Sequence, residues 1–239
     1  MAEIIKTENP EKMQLLKTKK ILHIIILTFI FSIGYGQSKN TPIPFYALPY
    51  YNYEPLTITI GKYQKELLTN DITELKHLEA KIKNNINNTD IESLYFLSIR
   101  LYDLGKKDDA FYWFQTAKAR ARIFMNMLDK KRMGGIGSEA FELKQLFNSF
   151  NQLIGEYMNG YGFNDVEKGI AVFEKVKNEV KDIQSYKNIY KKVRFLDEIN
   201  LEIEKTNKEK DLAETLEYVK SNKDEIKKQR IENGTQDKY

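Results

Sequence analysis

The side chains that most often carry acid–base and nucleophilic chemistry are nearly missing from this chain, which has two histidines, His23 and His77, and no cysteine in 239 residues. A serine or threonine nucleophile usually needs a histidine base, and catalytic zinc usually takes two or three imidazoles. Zero cysteine removes thiol nucleophiles, zinc–thiolate sites, iron–sulfur clusters and disulfide scaffolds together. His77 lies in TELKHLEAKI, where Leu75, Leu78 and Ile82 make the apolar side of a helix. It reads as a helix-surface or boundary residue, so no catalytic residue, metal site or cofactor is assigned. Carboxylate or lysine chemistry stays open. The carboxylate pairs Asp108 with Asp109 and Asp165 with Glu167 sit at expected helix starts, where capping accounts for them. Glycan cleavage needs only two positioned carboxyls, so a cell-wall-active hydrolase or lyase is the alternative reading, with no feature that selects the pair.

Two other groups suit binding better than catalysis. Tyr46, Tyr50, Tyr51 and Tyr53, with Phe45, lie between Pro42, Pro44, Pro49 and Pro55, a spacing that forbids helix. This extended arm either lies on the helical body or docks on another protein or a glycan, since tyrosine combines apolar area with a polar tip. Lys118 and Arg122 are four apart on one helix face and, with Lys130, Lys131 and Arg132, form a basic group suited to carboxylates or anionic lipid. Cations near a helix C-terminus are also favoured by the macrodipole alone. Gly134, Gly135 and Gly137 precede Ser138, a candidate N-cap; a phosphate loop needs GxxxxGK[ST] after a strand, so this segment reads as an inter-helix loop.

The elements that position these residues begin with an address. In KTKKILHIIILTFIFSIGYG, residues 17–36, three lysines precede the apolar run Ile21 to Ile33, and Gly34 and Gly36 are the small residues of a cleavage site that leaves Gln37 first. Crossing a bilayer takes about 20 apolar residues and this run has 13; a retained anchor is the alternative. Met13 is a plausible true start. Removing residues 1–36 leaves 33 basic and 31 acidic groups, a near-neutral mixture that argues against a nucleic-acid partner. The expected organisation is a signal region over 1–36, an arm over 37–60, a helical domain over 61–230 and a disordered tail over 231–239, exported to the periplasm or beyond.

From Gly61 to about residue 230 no proline interrupts the chain, and the expected fold class is all-α, built of antiparallel helical hairpins. A first helix runs from Asp71 to Asn84. A second opens with Thr89 as N-cap and Glu92 in a capping box and ends at Gly105; Asp108 caps a third. That third helix places Phe111, Tyr112, Trp113 and Phe114 around its whole circumference, so it is central. Phe195, Ile199 and Ile203, then Leu212, Leu216 and Val219, form two narrow apolar stripes near the C-terminus.

The segment LYFLSIRLYDLGKKDDAFYWFQTAKAR resembles a tetratricopeptide or Sel1-like repeat. Leu94, Leu97, Ser98 and Leu101 stand at the family's first-helix positions, Gly105 at its turn, and Ala110, Phe114 and Ala117 at its second-helix positions. Leu94 replaces the family's tryptophan and the closing proline is missing. A looser copy, with Gly169, Phe173 and Val176, is offset by 59 residues, against about 34 for the ordinary repeat. The resemblance implies helical hairpins with small residues where backbones approach, and an extended groove more readily than a deep reactive pocket. The functional expectation is a non-enzymatic exported protein that binds another envelope protein or peptide as adaptor, inhibitor or immunity protein, touching membrane only through an uncleaved signal.

Overall fold

The computed structural model describes residues 61–235 and 238–239. The signal region with Gly36 and Gln37, and the arm with Tyr46, Tyr50, Tyr51 and Tyr53, lie outside the described residues.

Among the described residues eight α-helices pack in a bundle: α1 Gln64–Leu67, α2 Ile72–Asn84, α3 Ile91–Asp103, α4 Lys107–Met127, α5 Glu139–Gly162, α6 Val166–Val180, α7 Glu198–Ser221 and α8 Lys223–Glu232. Among the described residues there is no strand, only an isolated antiparallel bridge between Leu128 and Phe195, and no helix is long and apolar enough to cross a membrane. The all-α expectation holds, in a bundle compatible with a helical-repeat fold.

Short polar side chains start the helices by accepting otherwise unpaired backbone N–H groups. Asp71 accepts from the Thr73 and Glu74 amides ahead of α2, Asp165 from Glu167 and Lys168 ahead of α6, and Ser138 from Phe141 ahead of α5. The capping box expected at Thr89 is not formed. Asp90 is the N-cap of α3, accepting from the Ser93 amide at 2.8 Å, while the Thr89 hydroxyl donates back to the Asn85 carbonyl. Glu92 is thereby freed to turn inward. Asp108 does not cap α4, whose N-cap position is Lys106 with no side-chain bond; Asp108 instead accepts from the Tyr161 hydroxyl at 2.7 Å and pairs with Lys168 at 3.1 Å.

The α3–α4 turn is a Schellman motif: the Lys106 amide donates to Leu101 O, the Gly105 amide to Tyr102 O, and Gly105 has φ +79°, a conformation that disfavours a Cβ. Across this hairpin Leu94, Leu97, Ser98, Leu101, Ala110, Phe114 and Ala117 are all fully buried. Helix α4 packs on α3, α5, α6 and α7, and its four consecutive aromatics are buried on every side, as their sequence implied. Phe114 meets the Tyr95 ring edge-on, and Tyr95 stacks on Phe150 with centroids 4.7 Å apart.

The first C-terminal stripe does not pack on the body as one face. Ile199 and Ile203 are 76% and 50% exposed, and Leu201 is buried in their place, in line with Leu212, Leu216 and Val219. The reason is that Phe195 precedes α7: residues 194 and 196 are bonded to the chain after α4 (Asp129 N to Arg194 O, Leu196 N to Met127 O), so the Phe195 side chain is out of phase with the helix. The C-terminal segment is helical to Glu232, and the Tyr239 hydroxyl donates to Glu156 at 2.6 Å.

Candidate functional site

Helices α2 and α6 run beside α4 in the same direction. Lys76 pairs with Asp109 at one end of α2, and Arg120 donates to Asn87 just past its other end; Lys168 and Glu179 of α6 meet Asp108 and Tyr112 of α4. Between them a groove opens along α4 as two cavities of about 520 and 170 Å³, and a third of about 410 Å³, walled by α6 and the end of α5, continues it; the three share walls. Asp108, Ala171 and Val172 are common to the cavities of about 520 and 410 Å³, and Lys83 and Tyr112 to those of about 520 and 170 Å³.

The wide part is a lattice of charges. Trp113 Nε1 donates to Glu79 Oε1 at 2.7 Å, fixing a carboxylate that with Asp109 holds Lys76. Partial burial pushes the Lys76 ammonium down, but its bonds to Glu79 and Asp109 outweigh this and leave its pKa raised. Asp108 behaves in the mirror sense: burial raises it, and the Tyr161 hydroxyl and Lys168 more than offset that and stabilise the carboxylate.

The narrow end is different. Its floor is Tyr112, Thr116, Ala119 and Arg120 of α4; Lys83 comes from the end of α2 and Ile86 from just past it, and Val176, Glu179 and Val180 from α6, with Asp182 and Ile183 just beyond. Arg120 is 5% exposed; its carbonyl accepts from the Tyr186 hydroxyl at 2.9 Å, and its guanidinium donates one hydrogen bond among the described residues, to Asn87 Oδ1 at 3.0 Å, with no ion pair. Burial lowers its pKa. Asn87 is itself held by donating to the Asp182 carbonyl. Thr116 is 4% exposed and its Oγ1 is buried without a hydrogen-bond partner. The Tyr112 hydroxyl is committed to Glu179 Oε2 at 2.8 Å, and its pKa is raised by burial and then by the Glu179 charge. Lys175 stands over the Tyr112 ring, 3.5 Å from its centroid.

Lys118 and Arg122 are exposed and lie away from this groove. A helix turns roughly 100° per residue, which puts both on the side of α4 opposite Thr116. There they face Lys208 of α7, whose ammonium is lowered by burial and then affected by the nearby charges, Lys118 and Arg122 among them. His77 is exposed on α2, as its position in the sequence implied. The glycine loop before α5 has its Gly137 amide occupied by Glu142 Oε1 at 2.8 Å.

The groove residues Lys83, Tyr112, Thr116, Arg120, Lys175 and Glu179 are not singled out by sequence reasoning. One signal was present: Tyr112, Thr116 and Arg120, at steps of four, make a polar-tipped row along one face of α4. Arg120 stands between Lys118 and Arg122 in the sequence, and this alternation of basic residues conceals the row. A second site-like feature, Glu92, sits under α3 with its carboxyl pushed up to about 7 by burial, then by the Asp90 charge, but it lines none of the groove's three cavities. Comparison with protein-family models, with curated proteins and with solved structures returns no match, so the functional reading rests on this geometry.

Proposed function

We propose that the protein is a non-enzymatic exported binding protein whose α3–α4 hairpin is a tetratricopeptide or Sel1-like unit and whose α2–α4–α6 groove holds a peptide segment of another envelope protein. The observation that carries this reading is the groove itself: three cavities sharing walls along parallel helices, with apolar floor segments and rims of both charge signs. Such a surface offers side-chain pockets and rim charges along an extended ligand. Export rests on the segment 17–36, with retention as an anchor the alternative, and the Tyr46–Tyr53 arm and the Lys118–Arg122 face are additional contact surfaces for the same partner.

The test is capture of envelope proteins on the tagged protein in parallel with two charge reversals, Lys175→Glu in the groove and Lys118→Glu on the far side of α4. A partner retained by the wild type and lost on Lys175→Glu, with Lys118→Glu weakening it less, supports the reading. A partner equally retained by the Lys175→Glu variant overturns it.

One observation favours the hydrolase or lyase reading: Glu179 and Asp182 both line the narrow cavity, and two carboxyls in a cleft are the minimum for glycan cleavage. Turnover of a cell-wall glycan or peptide by the purified protein, abolished by Glu179→Gln, would put catalysis in place of binding.

A further inference from the structure

Four charges line the narrow cavity, Lys83 and Arg120 against Glu179 and Asp182, so the lining is neutral overall. Although they border one space, none of the four is ion-paired among the described residues. The guanidinium of Arg120 donates only to Asn87 Oδ1, which leaves most of its N–H groups without a protein acceptor. Burial lowers its pKa, and the surrounding tyrosines and then the Glu179 and Asp182 charges oppose this; the group feels both carboxylates and touches neither. Glu179 Oε2 is taken by the Tyr112 hydroxyl, while its other oxygen and the Asp182 carboxylate accept no hydrogen bond among the described residues. Thr116 Oγ1, one turn from Arg120 on the same wall, is buried with no hydrogen-bond partner. It lies near the Tyr112 hydroxyl, whose pKa burial and Glu179 raise and Thr116 opposes.

Buried donors without acceptors are costly, and a buried guanidinium with one neutral partner more so. Direct ion pairs would relieve this, but the helices hold the opposite charges too far apart for them. The rest of the lining is aliphatic, from Ile86, Ala119, Val176, Val180 and Ile183; water suits the charged wall and not this one. The volume of about 170 Å³ is close to that of an engineered cavity of about 150 Å³ that takes benzene, enough for a side chain of a few carbons with its head group at the polar wall.

We propose that this cavity binds a free α-amino acid with a small branched side chain, of valine size, its carboxylate on Arg120 and the Thr116 hydroxyl with Lys83 beside it, its ammonium on Asp182 and the open oxygen of Glu179, and its side chain on the aliphatic wall. The neutral lining selects a zwitterion over an acid or an amine of the same shape, since a singly charged ligand leaves one wall unmatched. It also selects a free amino acid over a residue within a peptide, whose amino and carboxyl groups are lost in amide bonds. The ligand is therefore distinct from the peptide of the adjoining groove, and each reading can fail alone: partner capture judges the groove, and a titration the cavity.

The experiment is an NMR titration of the full chain with L-valine and with two analogues of its shape that each keep one charge, 3-methylbutanoate and isobutylamine. A dissociation constant on the order of 1 mM is expected for valine, a ligand of this size, with each analogue weaker by about tenfold or more. Glycine, without the side chain, should also be weaker by about tenfold or more. Asp182→Asn, at an exposed position, should weaken valine several-fold and leave 3-methylbutanoate unchanged. Lys83→Gln, also exposed, should weaken valine and leave isobutylamine unchanged. Arg120→Met should abolish valine binding, and if that variant does not fold, Thr116→Val reports on the same wall by weakening it. No valine binding up to about 10 mM, ten times the expected constant, means that the cavity holds only water and overturns the proposal. So does valine that binds no tighter than either analogue, or as tightly to Asp182→Asn and Lys83→Gln as to wild type. N-acetylvalinamide that binds as well as free valine returns the cavity to the peptide groove and overturns the amino-acid site.

Discussion

Replacing Glu92 by glutamine should stabilise the protein at neutral and alkaline pH while changing little in acid. Glu92 is 7% exposed, and its Oε2 accepts from the Tyr190 hydroxyl at 2.5 Å; that hydroxyl in turn accepts from the Ile91 amide at 2.8 Å. Burial, and then the Asp90 charge, push its carboxyl from the ordinary 4.5 to about 7. The folded state therefore holds the proton more tightly than the unfolded chain. Its contribution is fully present below pH 4.5, declines as pH rises, and is lost once pH passes about 7. A shift of this size is worth about 3 kcal/mol, of which about 2.5 kcal/mol falls between pH 5 and pH 8. Glutamine keeps an oxygen for Tyr190 and carries no charge to bury. Urea unfolding followed by circular dichroism, for both proteins at pH 5, 6, 7 and 8, measures the difference. All other titrating groups are common to the two, so the variant's advantage should grow by about 2.5 kcal/mol across that range. An advantage that stays constant with pH to within about 0.5 kcal/mol would mean Glu92 ionises in the fold at no cost, and the reasoning from burial would be wrong.

Other substitutions follow from the same structure. Phe114→Ala empties a fully buried site between Tyr95 and α5 and should cost about 3–5 kcal/mol in urea unfolding. Gly105→Ala forces a Cβ into the left-handed turn between α3 and α4 and should lower stability by about 1–2 kcal/mol, read as a drop in melting temperature. Leu201→Ala should cost about 2–5 kcal/mol, whereas Ile199→Asp, at a position 76% exposed, should stay within about 0.5 kcal/mol of wild type. Equal effects at Leu201 and Ile199 would refute the assigned phase of α7.

The candidate site was much less legible than the elements that build it. Arg120 looks like one more member of a basic run until α2 and α6 are laid beside α4, because its isolation depends on which carboxylates fail to reach it. Glu92 fits a capping box by spacing alone, yet Asp90 is one residue nearer the helix start and takes the Ser93 amide, leaving Glu92 to the core. Asp108 likewise has a capping position in sequence but a stronger use in space, between Tyr161 and Lys168. In each case a local bond competes with a tertiary one, and the tertiary partner is invisible from the neighbouring residues.

What was written into the chain was local and periodic. Helix α2 begins at Asp71 because a carboxylate there can accept its own next amides, α3 ends at Gly105 because only glycine turns left-handed without strain, and α4 is central because its first turns carry large aromatics around the whole circumference. These follow from interactions within one or two helical turns. The phase of Leu201 against Ile199, the gathering of Lys83, Arg120 and Glu179 around one cavity, and the burial of Glu92 required packing, because each is set by groups that are distant in sequence and become neighbours only when the helices close around α4.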